Sequence, residues 1–307
     1  MNTHSVRRST WSAAATLTLA ALSIVAPAPA GGVPVGCAPA TVNTAVSTGI
    51  PILDMSENIG YDAAGDLWVA RVLRNEVQRY DAAGNVTARV PVFAPGAIRL
   101  GPDNLLYVNF GNFTASIVPG SRTGGVVRFD PSAIGAAPEV FATGLGMPNG
   151  AAFDDAGYLY VADTSAGVVR IRPDGSIDAD WTRQARHFSA NGIAVLGDSV
   201  YVTIMATPSS QVVRIPIANP AAQSVAAELS PGLTLPAIPD DLVVGSDNQL
   251  YVTTTTGRLF RVDPTNGNTC TVLGGEPITA AATVPGRDGQ LTLGTETGNL
   301  LRVRLGN

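Results

Sequence analysis

Residues 148–162 read PNGAAFDDAGYLYVA. This stretch predicts two short strands, the first after an Asn-Gly start and the second alternating around Tyr160, joined by an Asp/Gly turn. A third strand, VVRI, follows at residues 168–171. Degraded copies of the unit recur through the chain, so the stretch indicates one member of a repeat.

Six copies of this unit can be aligned along the sequence. Their second strands centre on Trp68, Tyr107, Tyr160, Tyr201, Tyr251 and Thr292. Each third strand carries an Arg between apolar neighbours, and these are Arg79, Arg128, Arg170, Arg214, Arg261 and Arg302. We expect these arginines at solvated or inter-blade positions. The spacing, roughly 40 to 50 residues, is that of a four-stranded propeller blade. The sequence therefore predicts an all-β fold, a six-bladed β-propeller.

The first 30 residues have the features of a secretory signal peptide. Arginines occupy positions 7–8, an apolar run covers 13–25, and APA at 28–30 is typical of a cleavage site. We expect a mature domain of residues 31–307, exported to the extracellular or a periplasm-like space. The arginine pair leaves general secretion and twin-arginine export both open. The apolar run is shorter than the ~20 residues that span a bilayer, so no retained membrane span is predicted.

The composition excludes one class of partner. Charged residues make up 14% of the chain and the formal net charge is −5, so no basic surface is predicted for nucleic acid. We expect a monomer with a small-molecule substrate. Apolar residues of two loop segments, 110–119 and 230–239, are candidates for the rim of a substrate site, together with Met205, and simple loop packing is the alternative for each of them.

The sixth repeat has three predicted strands before the chain ends. Residues 40–48 are the strand-like segment left to supply a fourth, so we expect an N-terminal strand to close the ring in the last blade. Cys37 lies beside this segment, and Cys270 lies on the outermost predicted strand of the fifth repeat. An even pair of cysteines in an exported protein indicates a disulfide. Two free structural thiols are the alternative.

Radial blades bring the first residues of the inner strands together at the axis. Counting back eleven residues from each second-strand centre, or ten in the fourth repeat, predicts the ring Glu57, Gly96, Asn149, Asn191, Asp240 and Ala281. Four of these six residues carry oxygen donors, and the other two are small.

The four oxygen donors Glu57, Asn149, Asn191 and Asp240 are predicted to form a metal site. Two carboxylates and two amides, without imidazole or thiolate, suit a hard cation such as Ca²⁺, which accepts six to eight oxygens. Another divalent cation is the alternative metal. Asn and Asp also begin ordinary turns, which is the alternative explanation for such residues.

At these residues the chain resembles the senescence-marker/gluconolactonase-like six-bladed propellers and their paraoxonase and diisopropylfluorophosphatase relatives. The resemblance covers the mature chain through its repeats, and PNG at 148–150 is the sharpest motif. It implies that an early Glu, central Asn residues and a late Asp hold a catalytic divalent cation, usually calcium. It implies hydrolysis of lactones, esters or phosphotriesters.

The chain departs from this pattern in two places. The second repeat begins PGAIR at 95–99, without the Arg and Asn that bind sugar hydroxyls in gluconolactonase-type members, so sugar lactones are not expected. In place of the paraoxonase His pair, the mature chain has His187 alone. The resemblance implies Asp240 as base or nucleophile, with His187 as a second candidate base. Asn58 and Asp241, next to predicted ligands, are expected to orient them.

The predicted function is that of a secreted, calcium-dependent hydrolase of a small lactone or ester, similar to a lactonase or arylesterase. A non-catalytic propeller built from NHL-like repeats, which binds a protein or glycan on its top face, is the alternative. A strictosidine-synthase-like protein, with a Glu on the pocket wall and no metal, is a third hypothesis.

Overall fold

The computed structural model describes residues 37–47, 49–118, 120–232 and 235–306. The predicted signal peptide, residues 1–30, lies outside this part of the chain. Over the described residues, 23 strands form six antiparallel sheets, which are the blades of a propeller.

The strands of each blade follow one another outwards from the axis. Blade one contains β2 (Asn58–Tyr61), β3 (Leu67–Arg71), β4 (Glu76–Tyr80) and β5 (Val86–Pro91). Blade two contains β6 (Ile98–Leu100), β7 (Leu106–Phe110), β8 (Gly124–Phe129) and β9 (Glu139–Leu145). Blade three contains β10 (Pro148–Phe153), β11 (Leu159–Asp163) and β12 (Gly167–Ile171). Blade four contains β13 (Ala190–Leu196), β14 (Ser199–Ile204), β15 (Gln211–Pro216) and β16 (Ser224–Glu228). Blade five contains β17 (Pro239–Val244), β18 (Leu250–Thr254), β19 (Arg258–Val262) and β20 (Thr269–Gly274). Blade six contains β21 (Ile278–Thr283), β22 (Gln290–Thr295), β23 (Leu300–Arg304) and β1 (Thr41–Val46).

Helices are short in the described residues. An α-helix, α1, spans Ala179–Thr182, and 3₁₀ turns span Val72–Arg74, Thr114–Ile117 and Pro220–Ala222. No helix in this part of the chain is long and apolar enough to cross a bilayer.

The blades form a ring, because each inner strand contacts the inner strand of the next blade and β21 contacts β2. A buried apolar cluster lies between every pair of neighbouring blades. Between blades one and two, for example, Trp68 packs edge-on against Phe129 with ring centroids 5.3 Å apart. Between blades six and one, Ile59 belongs to the same cluster as Ala280 and Leu300. The predicted six-bladed propeller is confirmed.

Blade six takes its outer strand from the N-terminal side of the chain. Strand β1 pairs antiparallel with β23, so that Val42 faces Val303. The predicted disulfide is present between Cys37, just before β1, and Cys270 on β20, with Cα atoms 5.3 Å apart. Cys37 N also donates to Thr271 O. The bond therefore links the outer strands of blades five and six.

The recurring second-strand aromatic has a structural partner in the turn before it. Tyr160 Oη donates to Asp154 Oδ2 at 2.9 Å, while Asp154 Oδ1 accepts the backbone N–H groups of Ala156 and Tyr158. In blades two and five the tyrosine donates to an Asp four residues before it, also in the turn. One carboxylate thus satisfies turn donors and a buried hydroxyl, which explains why Asp and Tyr recur together.

Blade three departs from the four-stranded repeat. Residues 172–189, all described, contain α1 and no fourth strand, and α1 packs on β12. Asp178 caps this helix by accepting from Trp181 N, and its carboxylate also pairs with Arg170 of β12. Trp181 packs against Tyr160 with ring centroids 5.2 Å apart. Because the cap, the ion pair and the buried indole favour the helix together, no strand forms there.

Candidate functional site

Backbone pairing defines the axial position in each blade. The second-strand centre pairs with an inner-strand residue, and the axial residue lies three positions before that partner. The pairs are Gly60–Trp68, Arg99–Tyr107, Ala152–Tyr160, Ala194–Tyr201, Val243–Tyr251 and Ala282–Thr292. The axial residues are therefore Glu57, Gly96, Asn149, Asn191, Asp240 and Thr279.

In blade six the axial residue is Thr279, and the prediction of Ala281 was wrong. Thr292 pairs with Ala282, ten residues back, whereas Tyr160 pairs with Ala152, eight residues back. The longer hairpin moves the axial position from Ala281 to Thr279. Thr279 is fully buried, and its hydroxyl donates to the backbone oxygen of Ser56 at 2.6 Å, so it ties blade six to blade one.

The four predicted donors lie together at the starts of the inner strands, and we call this end of the propeller the upper face. Their residues are buried, with 9% of Glu57, 6% of Asn149, 3% of Asn191 and 7% of Asp240 exposed. Asn149 Nδ2 donates to Glu57 Oε1 at 3.2 Å. Asp240 lies close enough to Glu57 and to the Asn191 amide for both to influence its pKa.

The two carboxyl groups are difficult to ionise in this environment. Burial raises the pKa of Glu57 from 4.5 to about 7, against hydrogen bonds from Asn112 and Asn149 that lower it. Burial also raises the pKa of Asp240, and the negative charges of Glu57 and Asp241 add to this. Since a buried cation favours the ionised forms, the electrostatics of the site suit the binding of a cation.

Two buried amide oxygens also suit the binding of a cation. Asn191 Oδ1 and Asn112 Oδ1 have no hydrogen-bond partner among the described residues. The amide nitrogen of Asn191 donates to Met205 Sδ at 2.9 Å, and that of Asn112 donates to Glu57 Oε1. Buried polar atoms are rarely left unpaired, because their desolvation is then uncompensated.

The donor set selects among metals. Among the described residues, no group of three or more His, Cys, Asp or Glu side chains is placed to hold a metal ion. The site therefore depends on amide oxygens besides its carboxylates. Oxygen ligands of this kind suit Ca²⁺ or another hard divalent cation, whereas Zn²⁺ prefers nitrogen and sulfur.

Two polar residues at this site were not identified from the sequence. Asn112 lies in the loop after β7, and half-buried Glu296 lies in the turn between β22 and β23. Glu296 is close enough to raise the pKa of both Glu57 and Asp240. Neither residue occupies an inner strand, so the repeat register gave no signal for them.

A second polar layer lies directly behind the first. Asn58 Nδ2 donates to Asp241 Oδ2 at 3.1 Å, and these residues are 1% and 2% exposed. Arg99 Nη1 donates to Asn58 Oδ1 at 2.7 Å, and its Nη2 lies 3.5 Å from Asp241 Oδ1. The guanidinium also donates to the backbone oxygens of Ile59, Ile98 and Ala151. Arg99 thus cross-links inner strands of four blades.

The two predicted catalytic residues have different surroundings. Asp240 lies among the axial donors. The ring of His187 is hydrogen-bonded through Nε2 to Gln223 Oε1 at 2.8 Å, just before β16, the outer strand of blade four.

Comparison of the sequence with protein-family models and with curated proteins finds no match. Solved structures do share the fold. Gluconolactonase from Xanthomonas campestris has 16% identity, with 91% of this chain and 98% of that chain covered and a TM-score of 0.65. PQQ-bound aldose sugar dehydrogenase from Streptomyces coelicolor has 18% identity, with 88% and 99% covered and a TM-score of 0.63. Regucalcin, a calcium-binding protein from Agrobacterium tumefaciens, has 14% identity, with 85% and 95% covered and a TM-score of 0.62. Since these proteins differ in chemistry, the shared propeller fold does not by itself assign a reaction.

Proposed function

We propose that this protein is an exported, calcium-dependent hydrolase of a small, fairly apolar lactone or ester. The observation that carries the proposal is the meeting of Glu57, Asn149, Asn191 and Asp240 from four blades. Two carboxylates and two amides in a buried cluster have few structural explanations, because a carboxylate pair without a cation is costly to bury.

In this proposal the four side chains hold one divalent cation, which when bound polarises a carbonyl oxygen and stabilises the charge that develops on it. Asp240 serves as base or nucleophile. Asn58, Asp241 and Arg99 fix the backbone beneath the ligands. We prefer Asp240 to His187 because the hydrogen bond of His187 leads to the outer part of blade four.

The surroundings of the site favour an apolar substrate. Met205 Sδ contacts the Asn191 amide, and Phe113, which follows Asn112 in the loop after β7, is 52% exposed. In the segment before β17, Leu235 is 86% exposed. Gly96 offers no side chain to bind sugar hydroxyls at the axial position of blade two.

The comparisons support a hydrolase of this kind, because the solved structures that share the fold include a gluconolactonase and a calcium-binding regucalcin. The disulfide between Cys37 and Cys270 supports export to an oxidising compartment. We propose a monomer that acts on a small molecule.

The test is metal analysis of the mature protein followed by thermal unfolding and activity assays. We expect bound calcium, a higher melting temperature with Ca²⁺ than with chelator, and chelator-sensitive turnover in a panel of alkyl lactones and aryl esters. Glu57→Gln and Asp240→Asn should lose both the calcium response and turnover, whereas Arg183→Ala, at an exposed ion pair, should keep them. Turnover that persists in chelator and in Asp240→Asn would contradict the proposal.

The alternative is a non-catalytic propeller that binds a protein or glycan on the upper face. Phe93, Phe113 and Phe188 favour it, since they lie in upper-face loops and are 58%, 52% and 57% exposed. This alternative predicts no calcium response and no turnover in the same experiment.

A further inference from the structure

Blade two has no side chain at its axial position. Gly96 lies so close to blade three that an added Cβ would be 2.8 Å from Asn149 O and 2.9 Å from Pro148 O. Real Cβ atoms do not approach backbone oxygens so closely without a shift of the backbone. The inner strand of blade two therefore cannot contribute a ligand to the site.

The loop after β7 brings a polar side chain to the same region. Asn112 is 5% exposed and its Nδ2 donates to Glu57 Oε1. The loop is held by bonds from Gly111 N to Phe93 O and from Asn112 N to Ala94 O, both 2.9 Å. Gly111 has φ +83°, and an added Cβ would lie 2.7 Å from the Cα of Gly124. The position of Asn112 is thus fixed by the backbone.

The amide oxygen of Asn112 lacks the partner that its burial demands. Asn112 Oδ1 has no hydrogen-bond partner in the described part of the chain, as is also true of Asn191 Oδ1. A buried amide oxygen without a donor has lost its bonds to water and gained none in return. Its nitrogen already contacts one candidate ligand, Glu57, so its oxygen needs a partner in the same small region. A cation held by Glu57 and Asn191 would satisfy both amide oxygens.

We infer that Asn112 is a fifth oxygen donor of the cation site, supplied by a loop because Gly96 excludes a donor from the inner strand. The inference rests on the proposed cation site. It extends the donor set to five side chains, from blades one, two, three, four and five. Such a set approaches the six to eight oxygens that Ca²⁺ accepts.

The test is the Ca²⁺ affinity of Asn112 variants, measured by isothermal titration of the mature, chelator-treated protein. Asn112→Leu removes the oxygen at similar volume and should weaken Ca²⁺ binding about tenfold or more. Asn112→Asp keeps an oxygen there and should bind Ca²⁺ at least as tightly as the natural protein. Ser116→Ala alters the same loop, where Ser116 Oγ contacts Thr123 Oγ1, and should leave the affinity unchanged.

Each other result counts against a stated idea. If the natural protein binds Ca²⁺ and Asn112→Leu binds it equally well, the fifth donor is overturned while the proposed function stands. An equal loss in Ser116→Ala would attribute the effect to loop disturbance and also overturn it. If the natural protein binds no divalent cation, both proposals fail. If circular dichroism shows that Asn112→Leu is unfolded, weaker Ca²⁺ binding by Asn112→Asp than by the natural protein would overturn the inference.

Discussion

Replacement of Glu57 by Gln should stabilise the calcium-free protein at alkaline pH. Burial raises the pKa of Glu57 from 4.5 to about 7. One pKa unit corresponds to about 1.4 kcal/mol, so ionising Glu57 in the folded protein costs about 3 kcal/mol. Gln keeps the shape and the acceptor oxygen for Asn112 and Asn149 but carries no charge. Removal of the charge also lowers the pKa of Asp240, which acts in the same direction.

The effect should depend on pH with a defined sign. Between pH 4.5 and 7 the folded protein binds more protons than the unfolded chain, so the stability of calcium-free protein falls as pH rises. The loss is complete above pH 7 and is absent below pH 4.5. Glu57→Gln should therefore match the natural protein near pH 5 and exceed it by about 3 kcal/mol at pH 8, or roughly 6–12 °C in melting temperature.

The measurement is urea and thermal unfolding at pH 5 and pH 8 in chelator, with exposed Glu228→Gln as the control. At pH 8 and a thousand times Kd of Ca²⁺ the order should reverse, because only the natural protein gains from binding, by about 4.1 kcal/mol. If Glu57→Gln is less stable than the natural protein at pH 8 in chelator, the interpretation of Glu57 as a buried carboxylate that is costly to ionise is refuted.

Two further predictions concern the scaffold. Replacing Cys37 and Cys270 by Ser removes a disulfide between residues 233 positions apart, and should lower the free energy of unfolding by about 2–5 kcal/mol. The measurement is urea denaturation. An unchanged urea midpoint would contradict the role of the disulfide in holding blades five and six together. Arg99→Met leaves buried Asp241 without its guanidinium partner and should lower the free energy of unfolding by about 3–5 kcal/mol. Arg183→Ala, at an exposed ion pair, should lower it by less than about 1 kcal/mol. Equal losses in the two variants would show that Arg99 is no more than a surface charge.

The sequence by itself determined the six blades and most of the axial register. The spacing from a buried aromatic such as Tyr160 to the start of the preceding strand depends only on the strand and the short turn between them. Because side chains alternate along a strand, that spacing also decides which side chains face the axis. This is why the structure brings Glu57, Asn149, Asn191 and Asp240 together as the counting predicts. Their role as metal ligands stays a prediction.

Tertiary structure decided what local spacing does not encode. The longer hairpin of blade six put Thr279 at the axial position where counting had predicted Ala281. Asn112 reaches Glu57 from a loop, and Arg99 joins four blades through oxygens that are distant in sequence. The physical reason is that a strand's period fixes which way its own side chains point, whereas the path of a loop depends on the neighbouring blades against which it packs.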